Sequence, residues 1–411
     1  MRKHINIDSL IAEAESALRP VFDRFDAISQ KRTADIIDAY RRHGMSEACL
    51  YPTSGYGYGD RGRETLDRVY ADVFGCEAAV VRHSIANGTH AITIGLFGLL
   101  RTGDTMLSVT GAPYDTLSHV IKSDSGEGSL SEYCIKYDEI PLNDGKIDFS
   151  AIAEKLSANA DIKVVYAQRS RGYGDRRALT VSELDELADF VHARSNAYVV
   201  VDNCYGEFTE LSEPRADLFM GSLIKNPGGG LAMSGGYLAG TARAVELASY
   251  RMTSPGIGGE VGATLGQNRN MIQGFFMAPH TVAQAKKTAA LAAYVFEKMG
   301  YTVSPRWDED RSDIIETVRF GEPDALCAFC RGIQHGSPID SFVTPEPWDM
   351  PGYDDQVIMA AGTFVSGASI ELSADGPLRP PYIAYMQGGL TYESGRFGIM
   401  CAAREILALG D

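Results

Sequence analysis

Asp202 closes the run Tyr198-Val-Val-Val-Asp202, and Lys225 follows it in Ser222-Leu-Ile-Lys225-Asn-Pro-Gly-Gly-Gly230. A β-branched run ending in a carboxylate reads as a buried parallel strand, with its acid at the C-terminal edge where open α/β sheets build ligand sites. Lys225 lies between an apolar pair and a triple glycine, where backbone can approach a ligand closely. A lysine taken alone is most often a surface lysine. The glycine-rich flank and the upstream aspartate do not suit a solvated face. An acid for a pyridinium nitrogen and an amine for a Schiff base are the two protein groups that pyridoxal phosphate chemistry needs most. The pair predicts a pyridoxal 5'-phosphate enzyme.

Other stretches supply the remaining contacts. Ile85-Ala-Asn87-Gly88-Thr89 follows a strand candidate and opens a helix, so its free amides and the positive dipole end suit a phosphate. Read alone it is a simple N-cap. Gly55–Gly62 formally contains G-x-G-x-x-G at Gly57, Gly59 and Gly62, but no hydrophobic strand precedes it, which rejects a dinucleotide loop. Tyr56, Tyr58 and Arg61 of that loop are instead suited to reaching a phosphate. Tyr114, just past the strand at 106–109, is placed to stack on a flat ring. Gln168 and Ser170 stand at another strand end, for the cofactor's ring oxygen or for substrate. Arg379, among prolines, is the candidate clamp for an amino-acid carboxylate, and Arg396, in a glycine-flanked segment read as a loop, is its rival. No G-x-S-x-G, H-E-x-x-H or G-K-[ST] motif competes.

The elements that must position these groups follow from periodicity. Residues 8–50 read as an amphipathic helical segment that packs on a partner or on the C-terminal part. From 51 to 280, strand candidates at 79–81, 106–109, 163–167 and 198–201 alternate with helices, one of them opened by a capping box at Thr180 and Glu183. Strand, helix, strand in that order implies a parallel sheet. An alanine-rich helix at 283–299 opens the third region, 281–411, which holds shorter strands and proline-rich loops. The 411 residues are too many for one ordinary core, and 45% hydrophobic with 22% charged residues is a globular composition. A net charge of −16 without a basic cluster excludes nucleic acid as a partner. The N-terminus has no apolar signal core, no apolar run is long enough to span a bilayer, and seven scattered cysteines suit a reducing cytoplasm. Cys327-Ala-Phe-Cys330 has no second ligand pair and reads as core packing, so no metal is expected.

Taken together, VVVDNCYGEF, GSLIKNPGGG, NGTHAI, GAPYDTL, GYGYGDRGRETLDRVYADVFG and SIELSADGPLRPPYIAYMQGGLTYE resemble the aluminium-resistance, methionine γ-lyase-like branch of the cystathionine lyase superfamily. The resemblance runs from about residue 10 to the C-terminus. It implies a pyridoxal phosphate-dependent fold of type I, with a mainly parallel seven-stranded sheet in a large α/β domain and a small C-terminal α/β domain. It implies Lys225 as the Schiff-base lysine, Asp202 at the pyridine nitrogen and Tyr114 on the ring. Asn87, Gly88, Thr89 and Ser222 then hold the phosphate, and Tyr56, Tyr58 and Arg61 reach in from a neighbouring subunit of a homotetramer built from two catalytic dimers. The activity implied is elimination of a γ- or β-substituent, a thioether or similar, from an L-amino acid. Departures such as Val365-Ser366, where the branch has a glutamine, leave room for an unusual substrate such as a halogenated amino acid. A weakly active, stress-related homologue and an aminotransferase are the other readings.

Overall fold

The computed structural model describes residues 5–122, 127–350 and 355–410. The chain opens with α1 (Ile7–Arg42), whose N-cap Asn6 accepts from the Ser9 amide at 3.0 Å. The helix expected over 8–50 stops short at Arg42 because Gly44 turns the chain with φ +64°, and a single 3-10 turn covers Glu47–Leu50. α1 does pack on the C-terminal part: Leu10, Ile11, Ala14 and Leu18 join the core of the small domain, while Ile36 and Ala39 join that of the large one.

Next come α2 (Arg61–Phe74), β1 (Ala78–Arg82), α3 (Gly88–Leu99), β2 (Thr105–Ser108), α4 (Asp115–Ile121), β3 (Lys136–Glu139), α5 (Phe149–Ala158) and β4 (Ile162–Gln168). They are followed by α6 (Val181–His192), β5 (Tyr198–Asp202), β6 (Leu218–Ser222), β7 (Gly236–Gly240) and α7 (Ala242–Met252). The seven strands form one sheet in the order β1-β7-β6-β5-β4-β2-β3. All neighbours are parallel except β7, which runs against both β6 and β1. The Thr180–Glu183 capping box starts α6 as expected. The carboxyl ends of β1, β2, β4, β5 and β6 all meet at one edge, the place where such sheets bind ligands.

α8 (Asn268–Lys298) is one continuous helix of 31 residues, with Pro279 inside it. The helix expected from 283 thus begins well before the proline, and the division expected near 280 falls in its middle. Pro279 removes one backbone hydrogen bond. The helix persists because Phe275, Ala278, Val282 and Ala285 on either side are fully buried, so tertiary packing outweighs the lost bond.

The small domain holds β8 (Thr302–Ser304), β9 (Glu316–Arg319), α9 (Pro323–His335), β10 (Val357–Ala360), β11 (Ser373–Pro377), β12 (Ile383–Gln387) and α10 (Tyr392–Ala408). Its five strands pair antiparallel in the order β10-β11-β12-β9-β8. α9 and α10 pack closely: a Cβ on Gly332 would lie 2.3 Å from the Ala402 Cα. Cys327 and Cys330 sit on α9 within this core. Among the described residues no helix is long and apolar enough to cross a membrane.

Candidate active site

Asp202 ends β5 between Gln168 of β4 and Met220 of β6, so the sheet fixes its backbone on both sides. Oδ1 accepts from the Cys204 amide at 3.0 Å. Burial raises its pKa, with Lys225 the chief opposing influence. Lys225 follows β6 and caps the short turn Asn226–Gly228. Its Nζ stands 4.0 Å from the centre of the Tyr205 ring. Burial works against the Lys225 charge, and the Cys204, Tyr205, Asp202 and Tyr114 groups around it outweigh that and raise its pKa. Tyr205 itself holds φ +71°, a conformation rare for a tyrosine, and Asn226 Nδ2 secures it by donating to the Tyr205 and Glu207 carbonyls at 2.9 Å each.

The triple glycine after Lys225 has a different cause from the expected one. A Cβ on Gly229 would lie 2.2 Å from the Gly274 carbonyl of α8, and one on Gly230 would lie 2.3 Å from Leu390. What these residues admit is a helix and a leucine rather than a ligand. Gly88 does border the site: a Cβ there would lie 3.1 Å from Cys204 Sγ, 3.6 Å from the Ser222 Cβ and 3.8 Å from Lys225 Nζ. Ser222 is fully buried beside it. The Asn87 side-chain Oδ1 is the N-cap of α3, accepting from the His90 amide at 2.8 Å, so that oxygen is committed to the helix and its amide donors are what remain for an anion.

Tyr114 hangs from the loop after β2. Thr89 Oγ1 lies 3.0 Å from its hydroxyl, and Gln168 Oε1 accepts from its amide at 3.2 Å. Burial, then the nearby Asp202 carboxylate, pushes the phenol's pKa well up. Gln168 Nε2 donates to the Ser170 carbonyl at 3.2 Å, which commits this side chain to holding loops together. Arg176, absent from the sequence reading, donates to the Gln168 carbonyl at 2.8 Å and also to that of Ser170. Burial lowers its pKa to about 10. Nothing in the local sequence distinguishes it from Arg177, which faces Glu183 instead.

Tyr114, Gln168, Ser170, Asp202, Tyr205 and Lys225 line one cavity of about 270 Å³, closed on its far side by the small domain. The two arginine candidates lie outside it. Arg379 is half-exposed and pairs with Asp355 at 3.0 Å, in a neighbouring cleft with Arg171 and Arg176. Arg396 lies in the first turns of α10, a helix rather than the expected loop, and its Nε pairs with Glu15 of α1 at 2.9 Å. Tyr56 and Tyr58 stack on each other with ring centres 5.5 Å apart, 74% and 68% exposed. Arg61 starts α2 in a separate surface cleft with His43 and Arg68, so a single chain does not bring this trio to Lys225.

This architecture, with a lysine and an aspartate at the sheet's carboxyl edge, is that of the fold type I class of pyridoxal phosphate-dependent enzymes. A pyridoxal-5'-phosphate dependent protein of Escherichia coli shares the fold at 16% identity with a TM-score of 0.62, covering 94% of this chain and 97% of that one. The profile of the methionine γ-lyase family matches residues 7–407, and the chain belongs to that family of carbon–sulfur lyases. The YnbB protein of Bacillus subtilis is 50% identical over 96% of this chain and 95% of its own. The crystal structure of a proposed cystathionine β-lyase involved in aluminium resistance, from Clostridium acetobutylicum, is 46% identical with a TM-score of 0.94, covering 97% of this chain and 95% of that one.

Proposed function

We propose that this chain is a pyridoxal 5'-phosphate-dependent lyase that eliminates a thioether or similar substituent from the γ- or β-carbon of an L-amino acid. The observation that carries the reading is the convergence of Lys225, Asp202 and Tyr114 on one cavity, with Gly88 and Ser222 close to Lys225 and Cys204. The residues present fit the cofactor. Gly88, whose missing side chain leaves the backbone close to Cys204, Ser222 and Lys225, opens α3, whose first amides have no helical acceptor and suit a phosphate. Asp202, buried and with a raised pKa, would hold the cofactor's ring nitrogen and be stabilised as a carboxylate by its proton. When bound, the group would withdraw electrons from the substrate's α-carbon.

Lys225 would hold the cofactor through Nζ. The same Nζ, when free, would be the base for the substrate's α-proton. A β-substituent would leave directly after that transfer. For a γ-substituent, Nζ would pass the α-proton on to the bound cofactor and then take one from Cβ before the leaving group departs. Tyr114, with its pKa raised by burial, stays protonated and donates at the leaving atom, its hydroxyl oriented by Thr89. In this reading Tyr56, Tyr58 and Arg61 serve the cofactor of a neighbouring copy, in a homotetramer of two catalytic dimers.

The test is a panel of L-amino acids with S-linked β- and γ-substituents, assayed for thiol, 2-keto acid and ammonia. Release of all three from one substrate without any acceptor is the expected result. Dependence on an added keto acid, with no thiol released, makes the protein an aminotransferase and overturns the reading.

A further inference from the structure

The small-domain wall of the cavity carries a carboxylate that the lyase reading does not use. β11 and β12 pair with Ser373 opposite Gln387 and Asp375 opposite Tyr385. Side chains alternate along a strand, so these four share one face, and all four line the cavity. Ala374, Ala384 and Met386 occupy the other face and are fully buried in the small-domain core. The pattern places polar groups toward the cavity and apolar groups toward the helices.

Asp375 is positioned but incompletely satisfied. Gln387 Nε2 donates to its Oδ2 at 3.3 Å and also reaches Ser373 Oγ at 3.1 Å. The Tyr173 phenol stands beside the carboxyl, and Tyr385 holds the loop of Tyr173 by donating to its carbonyl at 2.7 Å. Oδ1 is buried and has no hydrogen-bond partner. Burial pushes the carboxyl's pKa up to about 6, against the opposing hydrogen bonds of Tyr173 and Gln387, and no basic side chain among the described residues pairs with it. Among the described residues that line the cavity, Lys225 is the one cation, and Asp202 and Asp375 are carboxylates on its two walls. An amino-acid carboxylate is repelled from this wall, whereas an ammonium group can pair with the part of the Asp375 side chain that lines the cavity.

We propose that Asp375 selects the substrate by binding a primary ammonium group at the far end of its leaving fragment. The proposal rests on the lyase reading for the word "leaving", and it names the class: a thioether amino acid whose departing thiol carries an amine. Tyr173 and Gln387 act as positioning residues that keep the carboxylate facing the cavity.

L-lysine, L-norleucine and L-2-aminoadipate differ at the chain end and have no leaving group, so they separate binding from turnover. Calorimetric titration of the cofactor-loaded protein is expected to show lysine binding at least tenfold more tightly than norleucine, a difference of about 1.4 kcal/mol, with aminoadipate weakest. Asp375→Asn is expected to shrink the lysine preference below threefold, and Asp375→Glu to restore part of it. Equal binding of lysine and norleucine by the wild-type protein overturns the proposal, whether or not either variant folds. So does a folded Asp375→Asn protein that keeps the preference. Turnover of S-(2-aminoethyl)-L-cysteine and S-propyl-L-cysteine tells the two readings apart. A lysine preference with neither these thioethers nor their L-homocysteine counterparts cleaved leaves the ammonium site standing and removes the lyase. Cleavage of both at equal kcat/KM leaves the lyase and removes the role of Asp375.

Discussion

Replacing Gly88 by alanine probes the anion cup with a single methyl group. The new Cβ lies 3.6 Å from the Ser222 Cβ and 3.8 Å from Lys225 Nζ, ordinary contacts, and 3.1 Å from Cys204 Sγ, where the thiol has to yield by a few tenths of an ångström. Gly88 is the first residue of α3 and holds no positive φ. Alanine there restricts the unfolded chain and stabilises by about 0.4–1 kcal/mol, which offsets the tight sulfur contact. The cofactor-free variant is therefore expected to melt within about 3 °C of wild type. Its cofactor affinity should change far more. The methyl adds bulk at the α3 amides assigned to the phosphate, and losing one charge-assisted hydrogen bond there costs about 1.5–3 kcal/mol. That corresponds to a Kd for pyridoxal phosphate roughly ten- to 150-fold higher. Titration of the cofactor-free protein, followed by its visible absorbance, measures this directly. An unchanged Kd in a variant of wild-type stability would mean that the phosphate sits elsewhere and the cup has been wrongly assigned.

Two further outcomes follow from groups around the site. Burial pushes the Glu207 carboxyl up to about 8, and Tyr237 donates to its Oε1 at 2.9 Å. A folded pKa raised above the unfolded value means that its contribution to stability is whole below about pH 4.5 and is lost as pH rises through 8, at up to about 1.4 kcal/mol per pH unit. Glu207→Gln should flatten the fall in melting temperature of the cofactor-free protein between about pH 4.5 and pH 8; parallel curves for the two proteins would contradict the argument. Mixing an Arg61→Ala chain with a Lys225→Ala chain should restore about one quarter of the wild-type sites if neighbours share them, since half the dimers are then hybrids with one intact site. Mixed dimers that form but stay inactive would count against sharing.

How far the sequence carried depended on whether a feature was local. Tyr198–Asp202 and Ile162–Gln168 are legible because β-branched runs buried on both faces leave a dense apolar record. β6 and β7, LFMGS and GYLAG, are short and contain glycine, and their pairing rests on contacts distant in sequence. Lys225, Asp202 and Tyr114 meet in the cavity because each is tied to a strand end, a position that periodicity reveals. Arg379 and Arg396 were singled out for their chemistry, yet Asp355 and Glu15, far away in sequence, engage them. Asp375 sits in SADGP, whose glycine and proline read as a turn. Only its pairing with β12 turns that acid toward the cavity.

The long helix α8 gives the site a fixed gauge. At 1.5 Å per residue its 31 residues extend about 46 Å. Its first half meets the loop of Lys225 backbone to backbone at Gly274, and its second half supports β9 and β12, next to the strand of Asp375. Helices resist stretching, and a proline is where they bend. Pro279 is locked in the core, so the lysine and the opposing carboxylate are spaced by a single rod braced at both ends. If Asp375 receives the far end of the ligand as proposed, a side chain entering between them is measured for length as well as charge, and one methylene too many has to be accommodated by the ligand folding back.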